Sequence, residues 1–404
     1  MRDVVLLGST GSIGTQALEV IDSHPGQFRV LGIGAGGANI DLLARQALDF
    51  EVPRVAIAAD KADEFAAAWE AIAQGAPAPQ VDTGEEAMVA LAGSLSGTAE
   101  HSGVVLNGIT GSIGLRPTLA ALESGATLAL ANKESLVIGG GLIADSMAWP
   151  GQIVPVDSEH SALAQALRSG RHEKGLTSPV VTGESEVRRL VLTASGGPFR
   201  RWTREQLAAV TPEQALNHPT WDMGPVVTIN SSTLVNKGLE LIEAAYLFDI
   251  DSADITVAVH PQSLIHSMVE FVDGSTIVQA SPPDMKLPIA LGLSWPERLH
   301  DVSTPCAWDA PVAWTFEPFD ADVFPAITLA RQAVAASALH PAVLNAANEE
   351  CVEAFRTGRI GYLEIVDTVA DVLASFDAGG SVDLEGVLGA DAWARQSARR
   401  ILGV

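Results

Sequence analysis

Asp157 and Glu159 lie two residues apart in the segment VDSEH, residues 156–160, directly after a short apolar run. Residues two apart in an extended segment face the same way, so both carboxylates are expected to point into one space. Carboxylates that close repel each other unless a cation lies between them, and all-oxygen ligation suits Mg²⁺ or Mn²⁺. Asp-Ser-Glu before a helix also forms an ordinary N-terminal cap, so the pair alone leaves both interpretations open.

A second polar segment, NSSTLVNKGLE at residues 230–240, leads into a predicted helix. Its hydroxyls, its amide and Lys237 are groups that bind phosphate. Glu240 is expected to begin the helix on the side that faces the loop, as a third metal ligand. A first-turn carboxylate favoured by the helix dipole is the alternative. Lys133 follows a predicted strand at its C-terminal end, where open α/β sheets bind ligands.

The segment GSTGSIG, residues 8–14, lies directly after the first predicted strand and directly before a helix. Glycines let the backbone approach a pyrophosphate, and the helix N-terminus supplies free N–H donors. The spacing is G-x-x-G-x-x-G rather than G-x-G-x-x-G, so a tight turn without a ligand is the alternative. A near-copy, GITGSIG at residues 108–114, predicts either another strand-to-helix turn or the far wall of a nucleotide cleft.

The end of the second predicted strand indicates which nucleotide this loop binds. It runs into GAGGAN, residues 34–39, and the first carboxylate comes only at Asp41. An NAD site usually has an acidic residue here that binds the ribose 2′-hydroxyl. Its absence leaves room for a 2′-phosphate and favours NADP, although this loop contains no Arg or Lys to pair with that phosphate.

A parallel sheet would position these residues, and the first 150 residues alternate short apolar runs with helix-like stretches, as such a sheet requires. Strands are predicted at 4–7, 28–33, 55–58, 104–107 and 127–131. Helices are predicted at 16–21, 40–48, 61–72, 85–91 and 116–124.

The rest of the chain has a different pattern. Residues 151–305 mix strands, at 189–193 and 276–280, with long polar loops, and 171–187 look like a surface insertion without an assigned role. Helical patterns at 323–337, 342–357, 362–376 and 390–402 predict an antiparallel bundle with a structural role. The predicted fold is α/β: an N-terminal Rossmann-like dinucleotide-binding domain (1–150), a central α+β catalytic domain (151–305), a linker (306–320) and a C-terminal α-helical bundle (321–404).

Composition limits the possible partners. The chain of 404 residues has 24 Lys+Arg against 49 Asp+Glu, a net charge of −25, which argues against binding nucleic acid or anionic membranes. Its apolar stretches are shorter than the ~20 residues of a membrane helix, and its N-terminus enters a strand without room for a signal peptide. Two cysteines cannot form a disulfide framework. These features predict a soluble, cytoplasmic protein.

Taken in order, these segments resemble the 1-deoxy-D-xylulose 5-phosphate reductoisomerase family over nearly the whole chain. The matching segments are GSTGSIG (8–14), ANKESLV (131–137), VDSEH (156–160), SGGPF (195–199), NHPTWDMG (217–224), NSSTLVNKGLE (230–240), HPQSLIHSMVEF (260–271), PPDMKLPIALGLSWP (282–296) and NAANEECVEAF (345–355). The resemblance implies a homodimer that rearranges the carbon skeleton of 1-deoxy-D-xylulose 5-phosphate. The product aldehyde would then be reduced with NADPH to 2-C-methyl-D-erythritol 4-phosphate, with Mg²⁺ or Mn²⁺ as the metal.

The resemblance also implies roles for individual residues. Asp157, Glu159 and Glu240 match the metal ligands, and Lys133 and Ser158 match contacts to the substrate near the metal. The matches to the phosphate pocket and to a flexible lid are Ser195, His218, Trp221, Met223, Ser231, Asn236 and Lys237. The predicted NADPH contacts are Gly8, Thr10, Gly11, Ser12, Ile13, Gly37, Asn39, Asn132 and Glu134. Ala38 departs from the pattern, because many members carry a basic residue there.

Two other functions stay open at this point. A metal-free NADP-dependent dehydrogenase of the semialdehyde type needs a cysteine nucleophile, but Cys306 and Cys351 lie outside every pocket motif. A nucleotide-sensing regulatory protein could use the same first domain without catalysis. NADPH oxidation that requires both a divalent metal and the phosphosugar separates an enzyme from a sensor.

Overall fold

The computed structural model describes residues 1–221 and 223–403. Asp222, in the predicted lid, and Val404, at the end of the predicted bundle, lie outside the described residues. In the described part, the N-terminal strands are β1 (Arg2–Leu7), β2 (Phe28–Ala35), β3 (Arg54–Ile57), β4 (Gln80–Thr83), β5 (Val104–Asn107), β6 (Thr127–Leu130) and β7 (Ile153–Pro155). They form one parallel sheet in the order β4-β3-β2-β1-β5-β6-β7.

The apolar run of β1 is continuous because both faces of the sheet are covered. Val4 and Leu6 pack into one hydrophobic cluster, and Val5 and Leu7 pack into another. Successive side chains of a strand point to opposite faces, which explains this alternation. The predicted N-terminal parallel sheet is confirmed. Sequence reasoning missed β4, an edge strand whose residues are only partly buried.

Helices connect these strands: α1 (Ser12–Asp22), α2 (Ile40–Asp49), α3 (Ala62–Ile72), α4 (Glu85–Ala92), α5 (Leu115–Glu123) and α6 (Lys133–Asp145). The sequence gives no prediction of α6, because each of Gly139, Gly140 and Gly141 lowers helix stability by about 1 kcal/mol relative to Ala. Packing overrides this propensity. A Cβ at Gly139 would lie 2.7 Å from Leu115 Cδ1, so glycine permits the close approach of α5, while Gly140 kinks α6 with a φ of +38°.

A second, smaller sheet contains β8 (Val187–Ala194), β9 (Ile255–Val259), β10 (Ile265–Phe271) and β11 (Thr276–Ala280). Its order is β11-β10-β8-β9, with β10 antiparallel to both neighbours and β8 parallel to β9. The helices of this region are α7 (Ser158–Leu167), α8 (Arg204–Leu207), α9 (Pro212–Ala215), α10 (Pro225–Ser232), α11 (Val235–Phe248) and α12 (Lys286–Ser294). The predicted strands at 189–193 and 276–280 correspond to β8 and β11.

The predicted limit of the first domain at residue 150 excludes two elements that pack with its sheet. β7 is the sheet's edge strand, and α12 packs on β6 and β7 through a hydrophobic cluster that includes Ile289 and Leu293. The chain therefore returns to the first sheet after leaving it. The predicted insertion at 171–187 packs on α11, where Leu176 N–H donates to Leu247 O at 2.8 Å.

The C-terminal helices are α13 (Ala326–Ala336), α14 (His340–Arg356), α15 (Tyr362–Ser375) and α16 (Leu384–Leu402). They confirm the predicted helical region, except that α16 begins at Leu384 because Asp383 caps it by accepting from Gly386 N–H at 2.8 Å. The helices support α10: Asn348 Nδ2 donates to Asn230 Oδ1 at 2.9 Å. Across residues 1–221 and 223–403, no helix is long and apolar enough to span a membrane.

Gly8→Ala is expected to lower the free energy of unfolding by about 1–3 kcal/mol more than Gly26→Ala. Both glycines have a φ of +81°, so the backbone strain is matched. A Cβ at Gly8 would lie 2.6 Å from Gly108 O, whereas a Cβ at Gly26 would meet no described atom within 4 Å. Urea denaturation measures both losses. Equal losses would show that the close approach of the two glycine loops is not required.

Candidate active site

Four loops meet at the carboxyl edge of the parallel sheet. They follow β1, β5, β6 and β7. The strand order reverses between β1 and β5. Ligands of open α/β sheets bind outside this point. A cavity of about 430 Å³ opens here and is lined by Ser12, Ile109, Lys133 and Asp157 from these loops. Its size is typical of small-molecule sites.

Asp157 and Glu159 both line this cavity, but from a helix terminus. Asp157 is the N-cap residue of α7, and Glu159 lies in its first turn, so the predicted extended segment at 156–160 is wrong. In the described chain, Asp157 accepts no capping hydrogen bond from α7. Its Oδ2 instead lies 2.6 Å from Lys133 Nζ. Of the two interpretations of this pair, the structure supports the site carboxylate rather than the helix cap.

Glu240 reaches the same cavity from the second turn of α11, so the prediction that it begins the helix is wrong. The predicted loop ahead of it is also absent from the described residues, because Asn230 and Ser231 lie in α10. Between α10 and α11 the chain turns at Leu234, which is buried and has a φ of +60°. Such a conformation costs a non-glycine residue about 1–3 kcal/mol. The turn directs Lys237, in the first turn of α11, into the cavity.

Two lysines pair with the three carboxylates. Lys133 Nζ lies 2.6 Å from Asp157 Oδ2 and 3.1 Å from Glu240 Oε1. Lys237 Nζ lies 2.5 Å from Glu159 Oε1 and also contacts Glu240 Oε2. The side chains of Lys237 and Glu240 are only 5% and 2% exposed. Burying a charge is costly unless it is paired, so the five groups depend on one another.

Neighbouring polar groups orient these charges. Lys133 Nζ donates to Asn236 Oδ1 at 2.9 Å, and Asn236 Nδ2 donates to Glu240 Oε1. Ser158 Oγ donates to Glu159 Oε2 at 2.5 Å. The predicted residues Asn236 and Ser158 therefore hold carboxylates in place.

Burial and the neighbouring charges together shift the pKa values in the cluster. Burial opposes the charged form of Lys133, but Asp157 and Glu240 outweigh burial and raise its pKa. Burial alone would raise the pKa of Asp157, but the charge of Lys133 outweighs it and the pKa is lowered. Burial and the charge of Glu240 raise the pKa of Glu159 to about 7. Because three carboxylates face two lysines, the fully ionised cluster has one negative charge in excess, which suits a further cation.

Two groups of three side chains in the described chain have the spacing of metal ligands. One is Asp157, Glu159 and Glu240, and the other is Asp157, His160 and Glu243, with ligand atoms within 4.8 Å of one another in each. All members of the first group line the cavity, whereas His160 and Glu243 lie behind it and are fully buried. The first group offers oxygen ligands, access and uncompensated charge, and therefore fits Mg²⁺ or Mn²⁺.

Sequence reasoning missed His160 and Glu243, which support the carboxylates from behind. His160 Nε2 contacts Glu240 O at 2.8 Å, and His160 Nδ1 lies 3.5 Å from Glu243 Oε2. Burial raises the pKa of Glu243 to about 8. Each residue lies three positions after a cluster carboxylate, Asp157 or Glu240. This i,i+3 spacing would have indicated a shared helix face if both helices had been placed correctly.

Other predicted phosphate and lid residues also line the cavity. Ser195 follows β8, and its Oγ lies 3.0 Å from His218 Nε2. The N–H groups of Thr220 and Trp221 donate to His218 Nδ1 at 3.1 and 2.9 Å, so the ring proton is on Nε2. Burial lowers the pKa of His218, which favours this neutral form. Ser231 also lines the cavity.

The glycine loop after β1 has the geometry of a nucleotide cradle. A Cβ at Gly14 would lie 2.3 Å from Gly8 O, so only glycine permits this packing of loop and helix. Because α1 begins at Ser12, the free N–H groups of its first turn lie at the cavity, where Gly11, Ser12 and Ile13 form the wall. Residues 108–110 form another wall, so the second glycine loop is both a turn and a part of the cleft.

The remaining predicted cofactor residues differ in position. Glu134 lines the cavity, whereas Asn132 is 1% exposed and joins two loops by donating to Gly111 O and Glu134 Oε2 at 3.1 and 2.7 Å. Gly37 and Asn39 lie beyond the C-terminal end of β2, where Asn39 Oδ1 accepts from Leu42 N–H and caps α2. Among the residues that the structure describes, the cavity lining does not include Gly8, Thr10, Gly37, Asn39 or Asn132.

A parallel sheet with a glycine cradle at its switch point, beside a carboxylate cluster that fits a divalent cation, defines the class of nucleotide- and metal-dependent α/β enzymes. Family sequence profiles narrow this class. That of 1-deoxy-D-xylulose 5-phosphate reductoisomerase matches residues 4–140, that of its C-terminal domain matches 153–248, and a further DXP reductoisomerase C-terminal domain profile matches 280–397.

Individual proteins agree with the profiles. The chain is 62% identical over 403 residues to the 1-deoxy-D-xylulose 5-phosphate reductoisomerase of Beutenbergia cavernae, covering 99% of this chain and 97% of that protein. It is 55% identical to that of Cutibacterium acnes, with coverage of 99% and 98%. The Zymomonas mobilis enzyme in complex with NADPH superposes with a TM-score of 0.86 at 36% identity, covering 99% of both chains. The chain belongs to the 1-deoxy-D-xylulose 5-phosphate reductoisomerase family.

Another solved structure, DOX-P reductoisomerase in complex with NADPH, fosmidomycin and magnesium, has a TM-score of 0.88 at 33% identity. The alignment covers 100% of this chain and 98% of that one. These likenesses confirm the predicted α/β fold with its Rossmann-like sheet and helical C-terminal region.

Asp157→Asn and Glu240→Gln are each expected to weaken Mn²⁺ binding by at least about 10- to 100-fold, the cost of changing even an outer-shell partner. NADPH binding should stay within about twofold, because the glycine cradle is formed by other loops. Electron paramagnetic resonance of free Mn²⁺ measures metal binding, and Glu385→Gln, an exposed carboxylate on α16, is the control. Wild-type Mn²⁺ affinity in both site variants would rule out this cluster as the metal site.

Proposed function

We infer that this chain converts 1-deoxy-D-xylulose 5-phosphate to 2-C-methyl-D-erythritol 4-phosphate, using NADPH and a divalent metal, in non-mevalonate isoprenoid biosynthesis. One structural observation carries this function: three carboxylates from two helices, α7 and α11, converge beside a dinucleotide cradle. A metal-free dehydrogenase would not need such a cluster, and a nucleotide sensor would not need a second, phosphate-binding side to its cavity.

The carboxylates Asp157, Glu159 and Glu240 would hold the metal. When bound, a divalent ion polarises carbonyl and hydroxyl oxygens of a sugar, and NADPH supplies a hydride. Lys133 lies between Asp157 and Glu240 and carries its positive charge to the cavity wall. There it would stabilise negative charge that develops on the substrate oxygens during rearrangement. Ser158 would contact the same end of the substrate.

The phosphate end of the substrate would lie against Ser195, Ser231, Asn236 and Lys237, with His218 donating from Nε2. Lys237 is the cation of this group, and in the structure it is paired with Glu159 and Glu240. Occupation of those carboxylates by a divalent cation would release the ammonium group for the phosphate. Binding energy at this remote group would hold the reacting carbons in position.

Trp221 belongs to the lid and would exclude water from the intermediate aldehyde. The centroid of its ring lies 6.1 Å from that of the His266 ring, with an angle of 60° between the ring planes. Its backbone N–H donates a hydrogen bond to His218 Nδ1. A phosphate that engages His218 would therefore also position Trp221. On the cofactor side, Gly11, Ser12 and Ile13 would bind the pyrophosphate, with Glu134 nearby on the cavity wall.

A homodimer in the cytoplasm is part of the proposal, as is the division of the chain into four segments, although the sheet of the first segment extends past residue 150 to β7. The edge strand β11 and the exposed apolar residues Val272 and Val278, which are 65% and 42% exposed, offer a surface for a second copy. An exposed sheet edge presents unpaired backbone groups to which another chain can pair.

Loss of NADPH absorbance tests the function directly. With 1-deoxy-D-xylulose 5-phosphate and Mg²⁺ or Mn²⁺, we expect turnover that a chelator abolishes and added metal restores. Oxidation that continues in the chelator would support a metal-free dehydrogenase. NADPH binding without any oxidation would support a sensor.

Lys237→Ala is expected to raise the KM for the phosphosugar more than Lys133→Ala does, because Lys237 would meet a phosphate that is present in the ground state. Lys133→Ala should mainly lower kcat, by about 10²- to 10³-fold, because its partner charge develops only in the transition state. Steady-state kinetics with varied substrate separates the two effects. Lys174→Ala, in the 171–187 segment, is the control, and a reversed split would contradict these assignments.

A further inference from the structure

The loop that follows β2 contains no basic residue, although the adenine ribose of a dinucleotide binds beside this loop in Rossmann-like domains. In a Rossmann-like domain, this loop distinguishes the ribose 2′-hydroxyl of NAD from the 2′-phosphate of NADP. Here it reads Gly36-Gly37-Ala38-Asn39, and Ala38 is exposed. A phosphate dianion usually requires a charged partner. The positive charge must therefore come from a neighbouring element.

The neighbouring element is the loop after β3. β3 pairs with β2 on the side away from β1, in a register that places Ile57 beside Ala35, and Ala58 N–H extends the pairing by donating to Ala35 O at 2.9 Å. The two strands are parallel, so their following loops leave the same edge of the sheet side by side. The loop after β3 ends at Lys61, which precedes α3.

Gly37 and Lys61 are in contact. Gly37 has a φ of +101°, and a Cβ there would lie 3.3 Å from Lys61 Cδ and 3.1 Å from Ala59 Cβ. The aliphatic stem of Lys61 thus crosses the loop at a position without a side chain. Packing of the stem against Gly37 restricts the lysine while its ammonium group stays accessible, with 35% of the side chain exposed.

We propose that Lys61 binds the 2′-phosphate of NADPH and sets the preference for NADPH over NADH. Lys61 would supply the positive charge that Ala38 cannot provide. This inference rests on the proposed function for the presence of NADPH in the site. Lys61 Nζ lies 3.0 Å from Glu64 Oε2, with the Glu64 side chain 60% exposed. An exposed i,i+3 pair is weak, so a phosphate dianion displaces Glu64 readily. Glu64 then weakens the binding of NADPH, because its carboxylate competes with the phosphate for the ammonium group of Lys61.

Equilibrium binding of NADPH and NADH to the full chain, followed by the fluorescence of the reduced nicotinamide, tests this assignment. Lys61→Met should weaken NADPH binding by about 10- to 100-fold and leave NADH binding within about twofold. Lys61→Arg should retain most of the preference. Glu64→Gln should strengthen NADPH binding severalfold without changing NADH binding. Lys174→Met, remote from the sheet edge, should change neither.

Equal losses of NADPH and NADH affinity in Lys61→Met would overturn the proposal, since they would indicate support of the loop rather than recognition of the phosphate. Unchanged affinities in Lys61→Met would overturn it as well. The two failures differ from failure of the proposed function, in which the wild-type chain itself would bind neither nucleotide. The NADH affinity of each variant also reports whether the nucleotide domain is folded.

Discussion

The charge balance between three carboxylates and two lysines in one buried cluster is the constraint on which the site depends. Neither lysine could be buried without its carboxylates, and the carboxylates could not approach one another without the lysines. Asp157, Glu159 and Lys133 come from the edge of the parallel sheet, whereas Glu240 and Lys237 come from α11. The cluster therefore ties the nucleotide fold to the second part of the chain. Its remaining negative charge would favour the binding of a divalent cation. Such a cation would free both lysines for substrate.

The switch point of the sheet would make the proposed cofactor a neighbour of the cluster. The loops after β1 and β5 line the part of the cavity proposed for the nucleotide, and the loops after β6 and β7 supply Lys133 and Asp157. Hydride transfer requires the nicotinamide beside the polarised carbon, and one sheet edge provides this without a long connection. The C-terminal helices contribute indirectly: they hold α10 through contacts such as that of Asn348 with Asn230, and α10 leads into the turn at Leu234 that aims Lys237.

The sequence predicts correctly the elements that depend on local patterns of burial. It does not predict contacts between elements that are distant along the chain. The apolar run 4–7 and the glycine loop predicted β1 and the cradle, because both are local features. α6 escaped prediction, because packing against Leu115 compensates for three glycines. The sequence predicts that Asp157 and Glu159 face one space, but it places them in an extended segment. In the structure they lie at a helix terminus. His160, Glu243 and the approach of Lys61 to Gly37 depend on tertiary contacts that spacing alone does not reveal.

Diffraction from crystals grown with Mn²⁺ and NADPH, measured at the manganese absorption edge, tests the central charge balance most directly. One anomalous peak should lie within bonding distance of an oxygen from each of Asp157, Glu159 and Glu240. The ammonium groups of Lys133 and Lys237 should have moved off those oxygens. A peak bound instead by His160 and Glu243, or a cluster without a peak at saturating Mn²⁺, would contradict this arrangement.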